Sequence, residues 1–345
     1  MTLETAIPRG CPPGTWNNPD HYLTAMQSQW YQLLPVLHDA ITYGSADFWR
    51  RRGVRVMYLP ITTSSISSPM GRGSDSLPVE VDLFGVTTWL ADSMQFMLEY
   101  GCRLNANGSY YIMPSFRGET PDETHLSQFF HSEAEIPGTL DDVIACVEGY
   151  VAYLCGVMLD AAADDICVFT GHLSHLDEMA HLTDPLPRVT FNEATDLLAD
   201  SPDGLVTAPD GTIRTLTRAG ERQLMARFGG AVWVTHFDHL SVPFYQAFTG
   251  PDQTTACNAD LLFGIGETVG AGERHVDDVQ LSRALALHEV DPAPYEWYRT
   301  MKRMAPLRTS GFGMGIERFL LWALRHTDIR DLQLFPRANG IQLVP

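Results

Sequence analysis

The chain has 345 residues, 45% of them hydrophobic, and a formal net charge of −19. That length allows one large domain or two ordinary ones around a substantial core. The charge makes repulsion from RNA the default expectation, because affinity for nucleic acid comes largely from Lys and Arg on phosphates. One basic run, Arg50-Arg51-Arg52 with Arg55, stands against it and reads as a solvated helix end. No basic segment followed by an apolar core opens the chain, and no uninterrupted apolar run approaches the about 18 residues of a membrane span. The six cysteines, at 11, 102, 146, 155, 167 and 257, form no C-x-x-C pair. Reduced thiols in a cytoplasmic protein are the expectation.

In chain order, residues 1–20 are rich in Pro, Gly and Asn and read as an irregular arm, with a single domain over 21–345. The spacing of Leu23, Met26, Trp30, Leu33, Leu34, Leu37 and Ile41 predicts one long helix from His21 to Arg52. Gly53 ends it, and 54–60 reads as a strand closed by Pro60. Residues 62–76 form a small-polar loop long enough to be a lid. Strands are expected near 78–84 and 86–90, a helix over 93–100, a strand pair over 110–136 and a helix over 140–162. Residues 166–188 read as a connection, 191–199 as a short helix and 200–211 as turns. Strands follow over 231–237, at 244–245 and over 260–267. Helices over 279–287, 295–304 and 315–325 and a last strand over 332–335 close the chain. Irregularly connected strands with helices between them predict an α+β fold, a mainly antiparallel sheet flanked by helices.

The chemistry concentrates in two segments. Ser115-Phe-Arg-Gly-Glu-Thr-Pro-Asp-Glu-Thr-His-Leu-Ser-Gln-Phe129 offers a cation for a phosphate, polar groups for a purine edge and a ring for a purine face. Gly311-Phe-Gly-Met-Gly-Ile-Glu-Arg318 supplies a second arginine. Neither segment is a P-loop, and the glycine-rich run is a poor dinucleotide fingerprint because it opens a helix ending in Glu-Arg. Together they point to a nucleoside triphosphate and the activation of a carboxylate. Asp260 and Glu267 suit Mg²⁺ between phosphates, since hard cations take few carboxylates plus phosphate oxygens and water.

With Phe48-Trp-Arg-Arg-Arg-Gly-Val-Arg-Val-Met-Tyr-Leu-Pro60 and Ile329-Arg-Asp-Leu-Gln-Leu-Phe-Pro-Arg337, these segments form three motifs in order. In them the chain resembles the catalytic core of class II aminoacyl-tRNA synthetases, in the aspartyl/asparaginyl branch. Stand-alone cores of that kind include asparagine synthetases. The resemblance implies a homodimer through residues 48–60, ATP as substrate and Mg²⁺ on Asp260 and Glu267. It puts Arg117 on the α-phosphate and the substrate carboxylate, and Arg318 on the γ-phosphate, as the catalytic pair. Phe129 then stacks on adenine, Glu119 and His125 lie near adenine and phosphates, and Glu267 and Gly315 complete the ATP site. Ser93, Gln95 and Arg274 line the substrate pocket, with Arg274 aimed at the substrate's side-chain carboxylate or amide.

Departures from the family's pattern shape the expected function. Aspartyl enzymes carry a lysine three residues after the pocket glutamine, where this chain has Leu98. The lid glutamate for the α-ammonium matches Gly71, with Asp75 or Asp92 as substitutes. The arginine that usually precedes the loop histidine is Thr124, and no anticodon-reading domain is expected ahead of residue 21. The sequence therefore favours an ATP-dependent ligase that adenylates a small, aspartate-like or modified carboxylic acid. It would pass the acyl group to ammonia or an amine to form an amide, with tRNA set aside as a partner. Aminoacylation of tRNA or another macromolecule is the alternative, and a non-catalytic nucleotide-binding regulator the second. His172, His175 and His181 read as a surface insertion rather than a metal site, His236 and His239 as candidates for proton transfer, and Cys257 as a poor candidate nucleophile.

Overall fold

The computed structural model describes residues 11–67, 77–201, 203–207, 211, 213–250 and 252–337. Gly71 and Asp75, proposed for the lid, lie outside them. The chain begins with helices α1 (His21–Gln27) and α2 (Gln29–Arg51), followed by strands β1 (Arg55–Val56), β2 (Thr62–Thr63), β3 (Val79–Leu83) and β4 (Val86–Leu90). Next come α3 (Gln95–Leu104), β5 (Ser109–Phe116), β6 (Gln128–Pro137), α4 (Leu140–Thr170), α5 (Ser174–Ala180), β7 (Arg188–Thr190) and α6 (Phe191–Leu197). A small hairpin of β8 (Leu205–Thr207) and β9 (Arg214–Leu216) leads into α7 (Arg218–Arg227) and β10 (Ala231–Thr235). The rest is β11 (Phe248–Thr249), β12 (Thr255–Ala256), β13 (Asn258–Phe263), β14 (Gly266–Glu273), α8 (Asp278–Leu287), α9 (Glu296–Met304), β15 (Thr309–Gly315) and α10 (Ile316–Ala323).

Eight strands form the main sheet in the order β1-β5-β6-β15-β14-β13-β10-β7. The pairs β1–β5 and β10–β7 are parallel and the others antiparallel. The expected α+β architecture is therefore present. Side chains alternate across a strand, and that alternation divides the sheet into a core face and a site face. Ala134 on β6, Phe312 and Met314 on β15, Val269 and Ala271 on β14, and Ala259, Leu261 and Phe263 on β13 enter the core. They meet Trp49 of α2 and Val143, Val147, Tyr150 and Leu154 of α4. The residues between them, Glu133, Glu135, Gly311, Gly313, Gly270 and Asp260, point to the opposite face by the same period.

Local chemistry explains the helix boundaries. A capping box of Thr139 and Asp142 starts α4, and Gly171 in the left-handed conformation (φ 76°) ends it. This helix is long and apolar enough by composition to cross a membrane, but its apolar face is the floor of the sheet. The expected helix end at 162 coincides with a kink, Ala162 having φ −152°, after which the helix runs on to Thr170. The connection expected over 166–188 is thus largely helical. The first predicted helix is broken in two at Ser28, whose ψ of 127° is extended. No strand forms at 244–245. No strand forms over 332–335; a 3-10 turn over Ile329–Leu332 occupies its start, where the Asp328 carboxylate takes the Arg330 N–H. Helix α7 was not expected: of its ten residues only Gly220, Leu224 and Met225 are buried, too few for a visible apolar stripe.

Candidate nucleotide and amino-acid site

A cavity of about 370 Å³ opens at the C-terminal end of β15, lined by Arg117, Thr124, His125, Phe129, His131, Arg218, Glu221, Glu267, Gly313, Gly315, Glu317 and Arg318 among others. Arg117 follows β5 and is held by its backbone N–H on Ser127 O, 2.9 Å away. Its guanidinium carbon lies 5.5 Å from the centre of the Phe129 ring. Among the described residues its buried Nε has no hydrogen-bond partner. A buried donor without a partner is costly, which makes Arg117 a candidate contact for an anion. Arg318, one turn into α10, donates to Glu267 O at 2.6 Å. Burial depresses its pKa, and the neighbouring cation Arg117 adds to that against the pull of Glu267.

Of the other predicted nucleotide residues, His125, Phe129, Glu267 and Gly315 line the same cavity. Glu119 does not. Its carboxylate accepts the Leu77 N–H at 3.3 Å, beside the lid segment. A β-carbon at Gly315 would meet nothing closer than Arg318, at 3.6 Å, so no steric need singles out glycine there. The glycines with a steric reason are Gly311 and Gly313. A β-carbon on Gly311 would overlap the Glu135 carboxylate, and one on Gly313 would stand 2.9 Å from Glu133 Oε1. The register pairs Gly311 with Glu135 and Gly313 with Glu133, so the glycine-rich run is a bare strand surface cleared for two glutamates.

Asp260 and Glu267 converge over Gly270, where a β-carbon would stand 2.8 Å from Glu267 Oε1 and 3.9 Å from Asp260 Oδ1. Burial, reinforced by Glu267 and then Glu221, pushes the Asp260 carboxyl well above its ordinary range. Glu221 is pushed up to about 7, by burial first and Glu267 second. Clustered carboxylates that repel one another suit a hard divalent cation. Among the described residues no three His, Cys, Asp or Glu are placed to hold a metal by themselves.

Ser93, Gln95 and Arg274 gather beneath the cavity, at the glutamates of β6. Ser93 Oγ donates to Glu133 at 2.7 Å, and Gln95 Nε2 donates to Glu135 at 2.6 Å. Arg274 is 2% exposed. It donates through Nε and a terminal nitrogen to Glu135, at 3.2 Å, and through the other terminal nitrogen to Gln246 Oε1, at 2.9 Å. Tyr111 donates to Glu133. His131 joins this layer to the cavity, its Nδ1 2.9 Å from Ser115 Oγ. Burial, with Arg117 and Arg318 adding, lowers its pKa to about 3, so it is neutral. Leu98 is fully buried in an apolar cluster with Ala91, Met94 and Tyr111. Asp92 accepts from Ser67 N and Oγ.

Glu133 and Glu135 were missed, although the alternation in Ser132-Glu-Ala-Glu135 carries a readable signal. Arg218 and Glu221 were missed because α7 was. Neither His236 nor His239 lines the cavity; His239 is buried between His288 and the Gln246 carbonyl. Burial and Glu273 push the Cys257 thiol up to about 12, which leaves no thiolate for nucleophilic work. His175 is tied to the Ala323 carbonyl and His172 to Arg325, structural contacts of α5.

Glu317 gives a pH signature to this site. It is 3% exposed, accepts the Phe130 N–H at 3.0 Å and has a pKa raised to about 7, chiefly by burial. The folded protein thus keeps a proton that the unfolded chain releases. This group's stabilising contribution is full below about pH 4.5 and is lost as pH rises through about 7. Glu317→Gln is expected to gain stability relative to wild type between pH 5 and 8, on the order of 3 kcal/mol. Urea unfolding of both proteins across that range checks it; parallel pH profiles would refute it.

A mainly antiparallel sheet with this loop and helix arrangement defines the class II synthetase fold. The chain belongs to the tRNA synthetases class II (D, K and N), whose family model matches residues 20–339. It is 30% identical over 287 residues to a probable cytoplasmic asparagine–tRNA ligase of Encephalitozoon cuniculi, covering 81% of this chain and 62% of that protein. It is 29% identical over 258 residues to the asparagine–tRNA ligase of Pyrococcus furiosus, covering 74% of this chain and 57% of that protein. The chain thus spans about three fifths of the length of these relatives. Among solved structures, asparaginyl-tRNA synthetase of Pyrococcus horikoshii complexed with asparaginyl-adenylate superposes with a TM-score of 0.84 and 24% identity, covering 94% of this chain and 73% of the other. These relatives overturn the expectation of an amide-forming ligase and the exclusion of tRNA as a partner: the matched proteins are tRNA ligases. The sequence had weighed Thr124 and the acidic charge too heavily. A net charge says little about a local contact surface, and one loop position does not define an acceptor.

Proposed function

We propose that the chain is the catalytic part of an ATP-dependent aminoacyl-tRNA synthetase that activates asparagine and transfers it to tRNA. The observation that carries this reading is the convergence of Arg117, Arg318 and Glu267 on one cavity, with Asp260 beside Glu267 over Gly270. In the first half-reaction the amino-acid carboxylate attacks the α-phosphorus of ATP, the adenylate forms and pyrophosphate leaves. Arg117 offsets the charge that grows on the α-phosphate, and Arg318 holds the outer phosphates. Phe129 covers adenine and His125 borders adenine and phosphates, while Glu119, outside the cavity and tied to the Leu77 N–H, is assigned to adenine only from the lid side; Gly315 starts the helix that carries Arg318. Mg²⁺ on Asp260 and Glu267 would neutralise phosphate charge.

Ser93, Gln95 and Arg274 are assigned to the amino-acid pocket. Leu98 in place of a lysine, together with the commitment of Arg274 to Glu135, supports a neutral amide side chain over a second carboxylate. We also assign dimerisation to residues 48–60, supported by β1 at the sheet edge and by Tyr58 at 95% exposure. A cytoplasmic site of action is supported by the name of one relative. Residues 21–345 are taken as the catalytic domain and 1–20 as an arm.

The test is asparagine-dependent ATP–pyrophosphate exchange with Mg²⁺, with aspartate as control, followed by transfer of labelled asparagine to total tRNA. Exchange with asparagine in excess of aspartate, then acid-precipitable label, is the expected result. No exchange with either amino acid refutes the adenylation reading, and exchange without charged tRNA refutes the transfer.

A further inference from the structure

Among the described residues three arginines, not two, face the cavity. Arg218, the first residue of α7, lines it with Arg117 and Arg318. The Thr217 side chain caps that helix by accepting the Gly220 N–H, so the start of α7 is fixed relative to β14. From there Arg218 places one terminal nitrogen 2.9 Å from Asp122 Oδ2 and 2.9 Å from His125 Nδ1, both in the loop between β5 and β6. Its side chain is 46% exposed, so the guanidinium has room to turn and donors to spare.

The loop itself supplies no cation at this point. Thr124 donates its N–H and its hydroxyl to Asp122. Burial and then Arg318 lower the His125 pKa, against the pull of Asp122, which favours the uncharged ring. Arg318 lies on the same cavity and is opposed by both Arg117 and Arg218. Such a cluster is relieved by a polyanion between its members. One turn along α7, on the same face, Glu221 reaches the Asp260–Glu267 pair. A single short helix thus presents a cation toward phosphate and an acid toward the carboxylate pair.

We propose that Arg218 is a third phosphate-binding residue, which leaves Asp122 to hold the outer phosphates of the bound nucleotide. It stands in for a cation that the loop position of Thr124 lacks. This rests on the nucleotide reading of the cavity and extends it.

The test is calorimetric binding of ATP and of AMP, each with Mg²⁺, to wild type and to Arg218→Ala. AMP lacks the outer phosphates, so a phosphate ligand and a strut that merely positions the loop give different patterns. The expected result is an about ten-fold or greater loss of ATP affinity with AMP affinity within about two-fold of wild type, as for one charge-assisted contact. Arg218→Lys is expected between wild type and Arg218→Ala. Adding Thr124→Arg to Arg218→Ala is expected to recover ATP binding, because position 124 lines the same cavity. Equal losses for ATP and AMP, or no loss for ATP, would overturn the assignment. Failure of wild type to bind ATP at all would instead overturn the nucleotide reading on which it rests.

Discussion

Arg117→Ala is expected to lower asparagine-dependent pyrophosphate exchange by about 10²–10³-fold while leaving the folded protein intact. The magnitude follows from what the side chain does before any ligand arrives. Its Nε is buried and unpartnered, its neighbour Arg318 is already depressed by its charge, and the Phe129 ring lies 5.5 Å from its guanidinium carbon. A donor set in place in this way needs no rearrangement when charge grows on the α-phosphate, and it acts where water has been displaced. The loss should appear in kcat more than in KM for ATP, because the interaction strengthens as the transition state forms. Arg117→Lys should recover little, since a point charge lacks the planar fork. The check is exchange kinetics beside thermal unfolding. An exchange rate within about ten-fold of wild type in a folded Arg117→Ala protein would remove Arg117 from the catalytic role.

Lys302→Met is expected to cost about 3–5 kcal/mol of stability. Lys302 and Glu99 are both fully buried, their Nζ and Oε2 2.7 Å apart. Lys302 also donates to the His275 carbonyl at 2.5 Å, and Tyr298 donates to Glu99. Burial lowers the lysine pKa, with Glu99 acting against it. Removing the cation leaves a carboxylate in the interior with Tyr298 and, at 4.0 Å, Arg103. Pairing Lys302→Met with Glu99→Gln should recover much of the loss, because the cost lies in the stranded charge rather than in the missing attraction. The pair also ties α3 and α9 to the residue after Arg274. The single variant should therefore raise KM for the amino acid more than for ATP. Guanidinium denaturation of both variants, with kinetics for each substrate, decides it. A single variant within about 1 kcal/mol of wild type would mean that the interior accommodates Glu99 without its partner.

Most of the architecture was legible because its signals are local. The β5–β6 pair, the hairpin β3–β4 and the helices α3, α8, α9 and α10 follow from period and turn chemistry. Arg117 and Arg318 were legible because each sits at a strand–loop or strand–helix junction with distinctive neighbours. What escaped depended on partners distant in sequence. Whether Arg274 is open or committed cannot be read without knowing that Glu135 and Gln246 flank it. Helix α7 escaped for the opposite reason. Much of its surface faces water or the cavity, so it lacks an apolar stripe although it carries Arg218 and Glu221.

The strand order has a consequence for synthesis of the chain. β6 carries Glu133 and Glu135, and its second neighbour is β15, with Ser132 opposite Met314. During translation β6 pairs with β5 early but shows an open edge until residues beyond 309 have emerged. An unpaired edge invites pairing with other chains, and non-local strand closure is slow. Glu133 and Glu135 stand on one face of that edge strand and meet Gly311 and Gly313 only when β15 pairs, so until then the open edge carries charge, which disfavours pairing with other chains. In the folded protein the same two side chains are sequestered, accepting from Ser93, Gln95 and Arg274, so charges exposed on the growing sheet end as buried acceptors beneath the cavity.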